Sequence, residues 1–411
     1  MRPASNAARI SCSPRCHEDE DRLVRIVYCT DSIRYLGGIQ RVTVTKANAL
    51  AAIPGNEVWI VVTDNREGIL ATPLSPHVRL VDLKVDYYAD DQISKLHVLK
   101  GIFVKRRRHR KLLGRLLDRI KPDVVIATGT SEKYFIPGIA QGAATIREIH
   151  FNTGYRMEHA RKSGSLFDLV SARVADFIDY RFGIKRYDRL ALLTREDRDD
   201  NWRGYDRAVV MPNPLTFKAS VSAPLDNREI AATGRLVELK DFATLLRVVR
   251  KVFDRHPDWH LTIYGEGDER PILERLITEL RLKNNVTLAG AVTDIPSRLR
   301  ESSIYAVSSR FEGFHLGLIE AMEAGVPPVS FACKCGPRDI ITDGKDGFLV
   351  APGDIDTFAD RICTLIEDRT LRQNMGAAAK RRAADFSIEN ITGQWMSLFE
   401  EVIKEKRDSR G

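Results

Sequence analysis

Two glutamates, Glu312 and Glu320, are the residues of this sequence best placed to do chemistry. They lie in the segment SRFEGFHLGLIEAMEAG at residues 309–325. An uncharged run precedes this segment, and Gly325 with the Val-Pro-Pro that follows it is a typical helix stop. The pattern predicts a strand, a loop and a helix at the carboxyl edge of a parallel sheet, where α/β proteins bind ligands. Carboxylates at that edge would accept hydrogen bonds from sugar or ribose hydroxyls. A solvated helix that merely carries two glutamates is the alternative interpretation.

Groups that could bind an anion lie close to these glutamates in the predicted sheet. Gly313 and Gly317 allow close approach, so the backbone N–H groups of residues 314–317 can point at an oxygen-rich ligand. Arg235 and Lys240 follow another predicted strand, and two cations there can bind a pyrophosphate. Taken alone they could be exposed surface cations. Together with the two glutamates they favour a ligand site.

A second glycine pair, Gly37 and Gly38, stands between the first predicted strand and a helix. Two glycines at a helix N-terminus admit an anion or a sugar. The G-x-G-x-x-G pattern is absent and no acidic residue ends the second strand, which argues against a nicotinamide cofactor. A purely structural Gly-Gly turn is the alternative.

The elements that must position these residues form a regular series. β-Branched runs alternate with amphipathic stretches on both sides of a break at residues 211–214, with seven predicted strands before it and six after it. This alternation predicts an α/β fold of two Rossmann-like domains, at residues 22–213 and 214–388, after a disordered tail at residues 1–21. A further helix at residues 389–411, capped by Ser387, carries an apolar stripe that needs a partner.

Composition narrows the class of protein. The chain has 411 residues, of which 43% are hydrophobic and 29% charged, as in a soluble globular protein of two domains. It has no apolar run near the roughly 20 residues of a membrane span, and the N-terminal segment lacks the apolar region of a signal peptide, so we expect a cytoplasmic location. The six cysteines match neither a disulfide framework nor a zinc pattern, which predicts reduced thiols.

The net charge of +8 is concentrated in one segment. Residues 105–121 carry nine lysines and arginines against the single acid Asp118, and leucines at helical spacing predict an amphipathic helix with a basic outer face. One interpretation is peripheral attachment to an anionic membrane surface at its inner face. The other is a surface helix that covers the sheet. Aromatic residues are scarce there, which argues against a nucleic-acid partner.

Several motifs occur together in a fixed order, and they make the sequence resemble the family-4 retaining glycosyltransferases of the GT-B type. The likeness covers residues 231–386 and favours the bacterial branch that builds capsule, lipopolysaccharide or lipid-linked glycans. In that fold two Rossmann-like domains face each other across a cleft, and the C-terminal helix crosses back to the first domain. The motifs are Gly234-Arg235-Leu236-x3-Lys240, Tyr264-Gly265-x-Gly267, Gly290-x3-Asp294, Glu312-Gly313-Phe314-x5-Glu320 with Gly325-x-Pro327, and Gly347-Phe348-Leu349-Val350.

The resemblance implies a role for each matching residue. Glu312 and His150 would be catalytic and would contact the transferred sugar, although a capped surface histidine is the alternative for His150. Glu238, which interrupts the family's pattern between the two cations, is expected to point outward. The donor-binding residues would be Arg235 and Lys240 on the diphosphate, Glu320 on the ribose, Gly37 and Gly38 beside the diphosphate, Phe314, His315, Leu316 and Gly317 on the sugar or phosphate, and Ala291 and Val292 at the base.

The reaction implied is a retaining transfer from a nucleotide-diphosphate sugar to a glycan or polyprenyl-linked acceptor. A same-face displacement, in which the departing phosphate oxygen deprotonates the acceptor, needs no enzymic nucleophile. We expect neither cofactor nor metal, because Arg235 and Lys240 take the electrostatic role of a divalent ion and Asp354 is predicted to be a helix N-cap. A sugar-nucleotide epimerase of the same architecture and a non-catalytic carbohydrate-binding protein are the alternative functions.

Overall fold

The computed structural model of the protein describes residues 24–34, 37–64, 70, 72–87 and 95–409. The predicted tail at residues 1–21 and the loop residues 35–36 lie outside this range. Two parallel sheets form, one in each half of the chain, as the βα alternation predicts. The α/β fold class is therefore confirmed, while the domain boundary at 213/214 stays a prediction.

The first sheet has seven parallel strands in the order β3-β2-β1-β4-β5-β6-β7. Its strands are short runs rich in valine and isoleucine that are buried on both faces, as expected for a parallel sheet covered by helices. The order reverses between β1 and β4, so the loops that follow these strands open a crevice at the carboxyl edge. The strands are β1 (Val24–Thr30), β2 (Asn56–Val62), β3 (Val78–Asp82), β4 (Val124–Ala127), β5 (Ala144–Glu148), β6 (Arg189–Leu192) and β7 (Ala208–Val210).

The second sheet has six parallel strands in the order β10-β9-β8-β11-β12-β13. Its switch point lies between β8 and β11, which places the loops that follow these two strands side by side. Those loops carry Lys240 and Glu312. The strands are β8 (Glu229–Thr233), β9 (His260–Tyr264), β10 (Val286–Gly290), β11 (Ile304–Val307), β12 (Pro328–Phe331) and β13 (Phe348–Val350).

The helices of the first domain differ from the prediction in one region. The sequence predicts a single helix at 166–185, whereas two helices and a π-helix (Asp179–Ile184) occupy residues 155–184. Gly164 ends the first of them in the left-handed conformation (φ 67°), and the Ser165 hydroxyl caps the next by accepting the N–H of Asp168. The helices are α1 (Gly38–Ala51), α2 (Lys95–Ile120), α3 (Tyr155–Ser163), α4 (Leu166–Ile178) and α5 (Arg195–Asn201).

Most helices of the second domain begin at an aspartate or serine whose side chain accepts a backbone N–H. Asp354 is such a cap, accepting the N–H of Thr357 at 3.0 Å, which confirms its predicted structural role. The helices of this domain are α6 (Phe242–Arg255), α7 (Arg270–Glu279), α8 (Ile295–Arg300), α9 (Leu316–Glu323), α10 (Pro337–Ile340), α11 (Ile355–Glu367) and α12 (Arg369–Ala383), and α13 (Ile388–Asp408) follows them.

The last helix, α13, belongs to the core of the first domain. Ser387 caps it, as predicted, and Trp395 and Phe399 are fully buried among residues of β1, β2 and β4 and of α1. The predicted return of the C-terminal helix to the first domain is thus confirmed. In the part of the chain that the structure describes, no helix has the length and hydropathy needed to cross a bilayer.

Candidate active site

The loops of the two domains meet at two glycines. A Cβ atom on Gly313 would lie 2.6 Å from the carbonyl oxygen of His150, and one on Gly38 would lie 3.0 Å from Cδ1 of Leu316. Gly313 leaves no room for a side chain against this backbone, and a side chain at Gly38 would require Leu316 to shift. The close packing brings the predicted residues of the first domain, His150 and the Gly37-Gly38 pair, against the Glu312 loop and the start of α9.

Lys240 and Glu312 form an ion pair in the second domain. The Lys240 Nζ donates to Glu312 Oε1 at 2.6 Å, and Glu312 is only 7% exposed. Burial alone would raise the pKa of Glu312, but the Lys240 ammonium lowers it and the net pKa falls below its usual value. The carboxylate is therefore ionised at neutral pH, and it is not the solvated surface glutamate of the alternative interpretation.

His315 stands next to this pair. Its Nδ1 accepts the N–H of Leu318 at 3.1 Å, which caps α9, and its Nε2 lies 3.7 Å from Glu312 Oε1. Burial lowers the pKa of His315 to about 4, so the ring is neutral and the proton is on Nε2. That N–H is directed towards the space beside Glu312, where it can donate to an oxygen of a ligand.

Glu320 is 2% exposed and already has two partners. The Thr216 hydroxyl donates to Glu320 Oε1 at 2.6 Å, and Arg41 of α1 forms an ion pair with the same oxygen from across the cleft. Arg41 also donates to the Thr216 hydroxyl at 2.5 Å. The carboxylate predicted to bind ribose thus connects the two domains in this structure, and a ribose would have to compete with Arg41 for it.

Arg235 and Lys240 lie on one loop, which packs closely against a neighbouring loop at Gly265. A Cβ atom on Gly265 would collide with the carbonyl of Gly234, so the two loops can pack only without a side chain there. Arg235 is exposed and, among the described residues, its guanidinium has no side-chain partner. The Glu238 side chain is 79% exposed and pairs with Arg310, which confirms that it points outward.

His150 follows β5 and sits over a buried ion pair. Its side chain is 4% exposed, its Nε2 lies 3.3 Å from Glu148 Oε1, and neither ring nitrogen has a hydrogen-bond partner among the described residues. Burial lowers its pKa to about 4, which leaves the ring neutral. The alternative of a capped surface histidine is therefore wrong. Lys46 of α1 pairs with the same Glu148 and lies 4.6 Å from the ring centre of Trp395.

The remaining donor-site predictions concern backbone positions. Phe314 is buried against Phe386, and Leu316 and Gly317 occupy the first turn of α9, whose N–H groups have no partner within the helix. Ala291 and Val292 follow β10, the outer strand of the sheet, and are exposed and half-buried. The structure gives neither Ala291 nor Val292 a contact that would test its predicted role at the base.

A cavity of about 790 Å³ opens beside His150, mostly in the first domain. Its lining includes Phe151 and Asn152, which follow His150 in the chain, and Lys334 of the second domain. Aromatic rings and charged groups share the lining, with Trp202 and Tyr205 packed at 5.5 Å between ring centres. Such a mixture of flat apolar faces and hydrogen-bonding groups suits an amphipathic ligand.

Metal-ligating side chains do not gather at this cleft in the described residues. The group whose ligand atoms all lie within 4.8 Å of one another is His256, Cys363 and Glu367, on α11 and at the end of α6. Glu367 is already engaged there by His256 and Arg255. In the cleft, the cations Arg235, Lys240 and Arg41 are the groups that could neutralise a diphosphate.

Three functional candidates escaped the sequence analysis: Arg41, Thr216 and Lys46. Arg41 lies three residues after Gly38, in the first turn of a helix that begins at the cleft, which is a signal the sequence does contain. Lys46 occupies the apolar stripe of α1, between Val42 and Leu50, and a lysine at such a position predicts a buried partner. Thr216 has no sequence signal that we can identify.

Comparison with known proteins agrees with this geometry. Residues 215–382 match the family model described as "Glycosyl transferases group 1". An uncharacterized glycosyltransferase of Haemophilus influenzae is 25% identical over 367 residues, covering 88% of this chain and 96% of its own. The lipopolysaccharide core biosynthesis glycosyltransferase LpsE of Rhizobium meliloti is 28% identical over 284 residues, covering 68% of this chain and 76% of its own.

Other curated relatives align with this chain over only part of their own length, whereas one solved structure superposes over nearly the whole chain. Three further curated relatives align over 24%, 52% and 34% of their own length. The S. aureus protein TarM, solved with fondaparinux, α-GlcNAc-glycerol and UDP, superposes with a TM-score of 0.69 at 16% identity, over 92% of this chain and all (100%) of TarM. At that identity the likeness shows the fold. The chain therefore has the GT-B fold, and residues 215–382 form a group 1 glycosyltransferase domain.

Proposed function

We propose that this protein transfers a sugar, with retention of configuration, from a nucleotide-diphosphate sugar to a glycan or lipid-linked acceptor in surface polysaccharide synthesis. The observation that carries the proposal is the Lys240–Glu312 ion pair, which stands beside the neutral His315 and faces the His150 loop across the cleft. A cation, a carboxylate and a neutral donor are thereby held around one space. The lipopolysaccharide relative supports the pathway, and the UDP bound by TarM makes UDP-sugars the first donors to test.

The same geometry supports a division of roles. The donor diphosphate would contact Arg235, which has no side-chain partner in the described part of the chain, and would draw Lys240 away from Glu312. Glu312 would then accept a hydrogen bond from the sugar. The bond from the anomeric carbon to the phosphate oxygen breaks, the bond to the acceptor oxygen forms on the same face, and the acceptor proton passes to the departing phosphate. The cations stabilise the charge that develops on this phosphate.

The cavity beside His150 would hold the acceptor. Its aromatic rings can stack on the apolar faces of sugar rings, and its arginines and aspartates can bond to hydroxyls or phosphates. Phe151 lines the cavity and belongs to the loop that Gly313 packs against, so an acceptor hydroxyl there would be close to the transferred sugar.

The basic helix α2 supports a membrane-surface location. Its apolar stripe is buried on the sheet through Leu113 and Leu117, while seven of the nine lysines and arginines at residues 105–121 are exposed. The other two are committed, since Lys105 donates to the carbonyl of Asp86 and Arg106 packs over the ring of Tyr134. Each exposed cation near an anionic surface contributes on the order of 1 kcal/mol. The exposed cations are Arg107, Arg108, Arg110, Lys111, Arg115, Arg119 and Lys121.

Incubation with single nucleotide sugars, with and without a lipid extract from a polysaccharide-producing bacterium, tests the proposal. A transferase should release nucleoside diphosphate quickly only when acceptor is present, and the anomeric coupling constant of the product should match that of the donor. An epimerase would convert the donor without acceptor, and a binding protein would do neither. A product of inverted configuration would overturn the retaining mechanism.

A further inference from the structure

Helix α4 turns its apolar side away from the protein. Leu166 is 76% exposed, Phe167 80% and Phe177 63%, and three more apolar residues of the helix are exposed with them. At about 100° per residue these six positions fall within a sector of roughly 120°. We call this set the α4 apolar stripe: Leu166, Phe167, Val170, Val174, Phe177 and Ile178.

The opposite side of α4 faces the domain. Ala172 is buried, and Asp176 accepts a hydrogen bond from Arg156 at 2.6 Å and lines the cavity beside His150. A surface helix normally buries its apolar side and exposes its polar side, so this helix has the reverse orientation. Six large apolar side chains on one exposed face indicate a covering partner.

The surroundings of the stripe are basic. Arg173 is exposed at its flank, and the π-helix that follows adds exposed Arg181. The neighbouring acids are neutralised, since Asp176 pairs with Arg156, and Asp179 pairs with Arg156 and Lys133. The exposed Asp168 lies on the far side of the helix from the stripe's centre.

The end of α4 is connected to the basic helix α2. Arg106 of α2 lies 4.8 Å from the ring centre of Tyr134, and the Tyr134 hydroxyl donates to Asp179 at the end of α4 at 2.5 Å. Phe103 and Val104, one turn before Arg106, are 64% and 65% exposed. Tyr134 therefore links α2 to the end of α4, and both helices carry exposed apolar and cationic side chains.

We infer that the α4 apolar stripe inserts into the interface of a bilayer with anionic headgroups, with the helix lying in the membrane plane. Phenylalanines and leucines on one face, flanked by arginines, are the composition of an interfacial helix. The inference uses the proposed function in one respect, namely that a lipid-linked acceptor would reach the cavity behind the same helix. A second copy of the chain fits poorly, because a symmetric contact would oppose the stripe's own arginines.

Flotation of the full chain with phosphatidylcholine vesicles, with and without phosphatidylglycerol, tests this inference. Phe167→Ser with Phe177→Ser should weaken partitioning at least ~10-fold, because two large apolar groups no longer enter the interface. The matched control, Val221→Ser with Ile272→Ser, removes two exposed apolar groups of the second domain and should bind like the wild type. Salt should reduce wild-type binding without abolishing it, whereas charge attraction alone would be lost.

Fluorescence locates the inserted segment. Phe177→Trp should show a blue shift and quenching by brominated lipid, and Ile272→Trp should show neither. The charge variant Arg107→Gln with Arg108→Gln and Arg110→Gln should bind vesicles more weakly. A larger fraction of its remaining binding should persist at high salt.

Wild-type protein that ignores anionic vesicles at low salt would overturn the inference, as would equal binding by the Phe167/Phe177 variant. So would a concentration-dependent dimer that the same variant dissociates, since a second copy would then cover the stripe. The assay contains no nucleotide sugar, so its outcome is independent of glycosyl transfer. Conversely, donor hydrolysis by the serine variant should equal that of the wild type, because its substitutions lie outside the cleft.

Discussion

Each domain contains a lysine paired with a glutamate next to a neutral histidine, but the two groups differ in access. In the first domain Lys46, Glu148 and His150 lie beneath α13, and the Lys46 and Glu148 side chains are 2% and 1% exposed. In the second domain Lys240 and Glu312 lie at the cleft, and the Lys240 side chain is 21% exposed.

Because of this difference in exposure, the same kind of lysine–glutamate pair is structural in one domain and open to a ligand in the other. The Lys46–Glu148 pair is fixed, because Lys46 is also in cation–π contact with Trp395 and Tyr28, so it can only hold α1, β5 and α13 together. The Lys240–Glu312 pair has solvent on one side, so a ligand can replace either partner. The buried pair holds structural elements in position, whereas the half-buried pair can exchange one partner for a ligand.

Lys46→Met should reveal the largest difference in stability between the first-domain and the second-domain lysine–glutamate groups. The ionised Glu148 would remain buried without its cation, and removal of one partner of such a pair costs about 3–5 kcal/mol of unfolding free energy. Chemical denaturation at neutral pH measures this loss, and Lys46→Met with Glu148→Gln should recover much of it. Lys240→Met, the matched change in the second domain, should cost less, because the Lys240 side chain is 21% exposed and water can replace its ammonium beside Glu312. Equal losses for the two lysines would contradict the comparison.

Glu312→Ala should affect turnover. If Glu312 acts on the reacting sugar, its loss removes an interaction made mainly in the transition state, and kcat should fall ~10²–10³-fold with little change in KM. Steady-state kinetics with saturating acceptor gives the value, and the unfolding midpoint serves as the control for folding. A rise in KM with kcat untouched would remove Glu312 from the catalytic group.

Glu320 and Arg41 should have opposite effects on donor affinity. Glu320→Ala removes the carboxylate proposed for ribose, so the Kd of the nucleoside diphosphate should rise ~10-fold while kcat changes little. Arg41→Ala removes the group that competes for this carboxylate, so the Kd should fall. Titration calorimetry measures both. Weaker binding in both variants would show that Arg41 contacts the donor instead.

The fold was largely predictable because its strands are short β-branched runs buried on both faces, and all thirteen strands form close to the predicted positions. Helix α3 was missed because its sequence, YRMEHARKS, has few apolar residues at helical spacing. Its place depends on tertiary contacts, such as Tyr155 packing at 5.0 Å on Phe311 of the other domain.

The site was predictable only where its residues are close in sequence. Glu312 and Glu320 share one strand-loop-helix unit, and Arg235 and Lys240 share one loop, so the two segments taken together could be proposed as a site. Their partners could not be read in this way. Arg41 and Glu320 are separated by 279 positions, and Lys46 and Glu148 by 102, so these pairs exist only once two elements or two domains have packed.

The two neutral histidines should give an effect that appears only at acid pH, and the same one in both domains. Burial lowers the pKa of His150 and of His315 to about 4, from a usual value of 6.5. Between these pH values the unfolded chain binds a proton at each position that the native state does not, so stability falls as the pH decreases from 6.5 to 4. Each histidine should contribute a slope of up to about 1.4 kcal/mol per pH unit, and none above the unfolded pKa.

His150→Phe and His315→Phe remove these protons one at a time. The difference in unfolding free energy between wild type and variant should be constant above the window, where the histidines are neutral in both states, and should shift towards the variant within it. Denaturant titrations over a pH series measure this difference, which cancels the contribution of every carboxylate that both proteins share. A flat difference for His150 with a sloping one for His315 would mean that His150 binds a proton in the native state as readily as in the unfolded chain. The Lys46–Glu148–His150 group would then be more accessible to protons than its burial indicates.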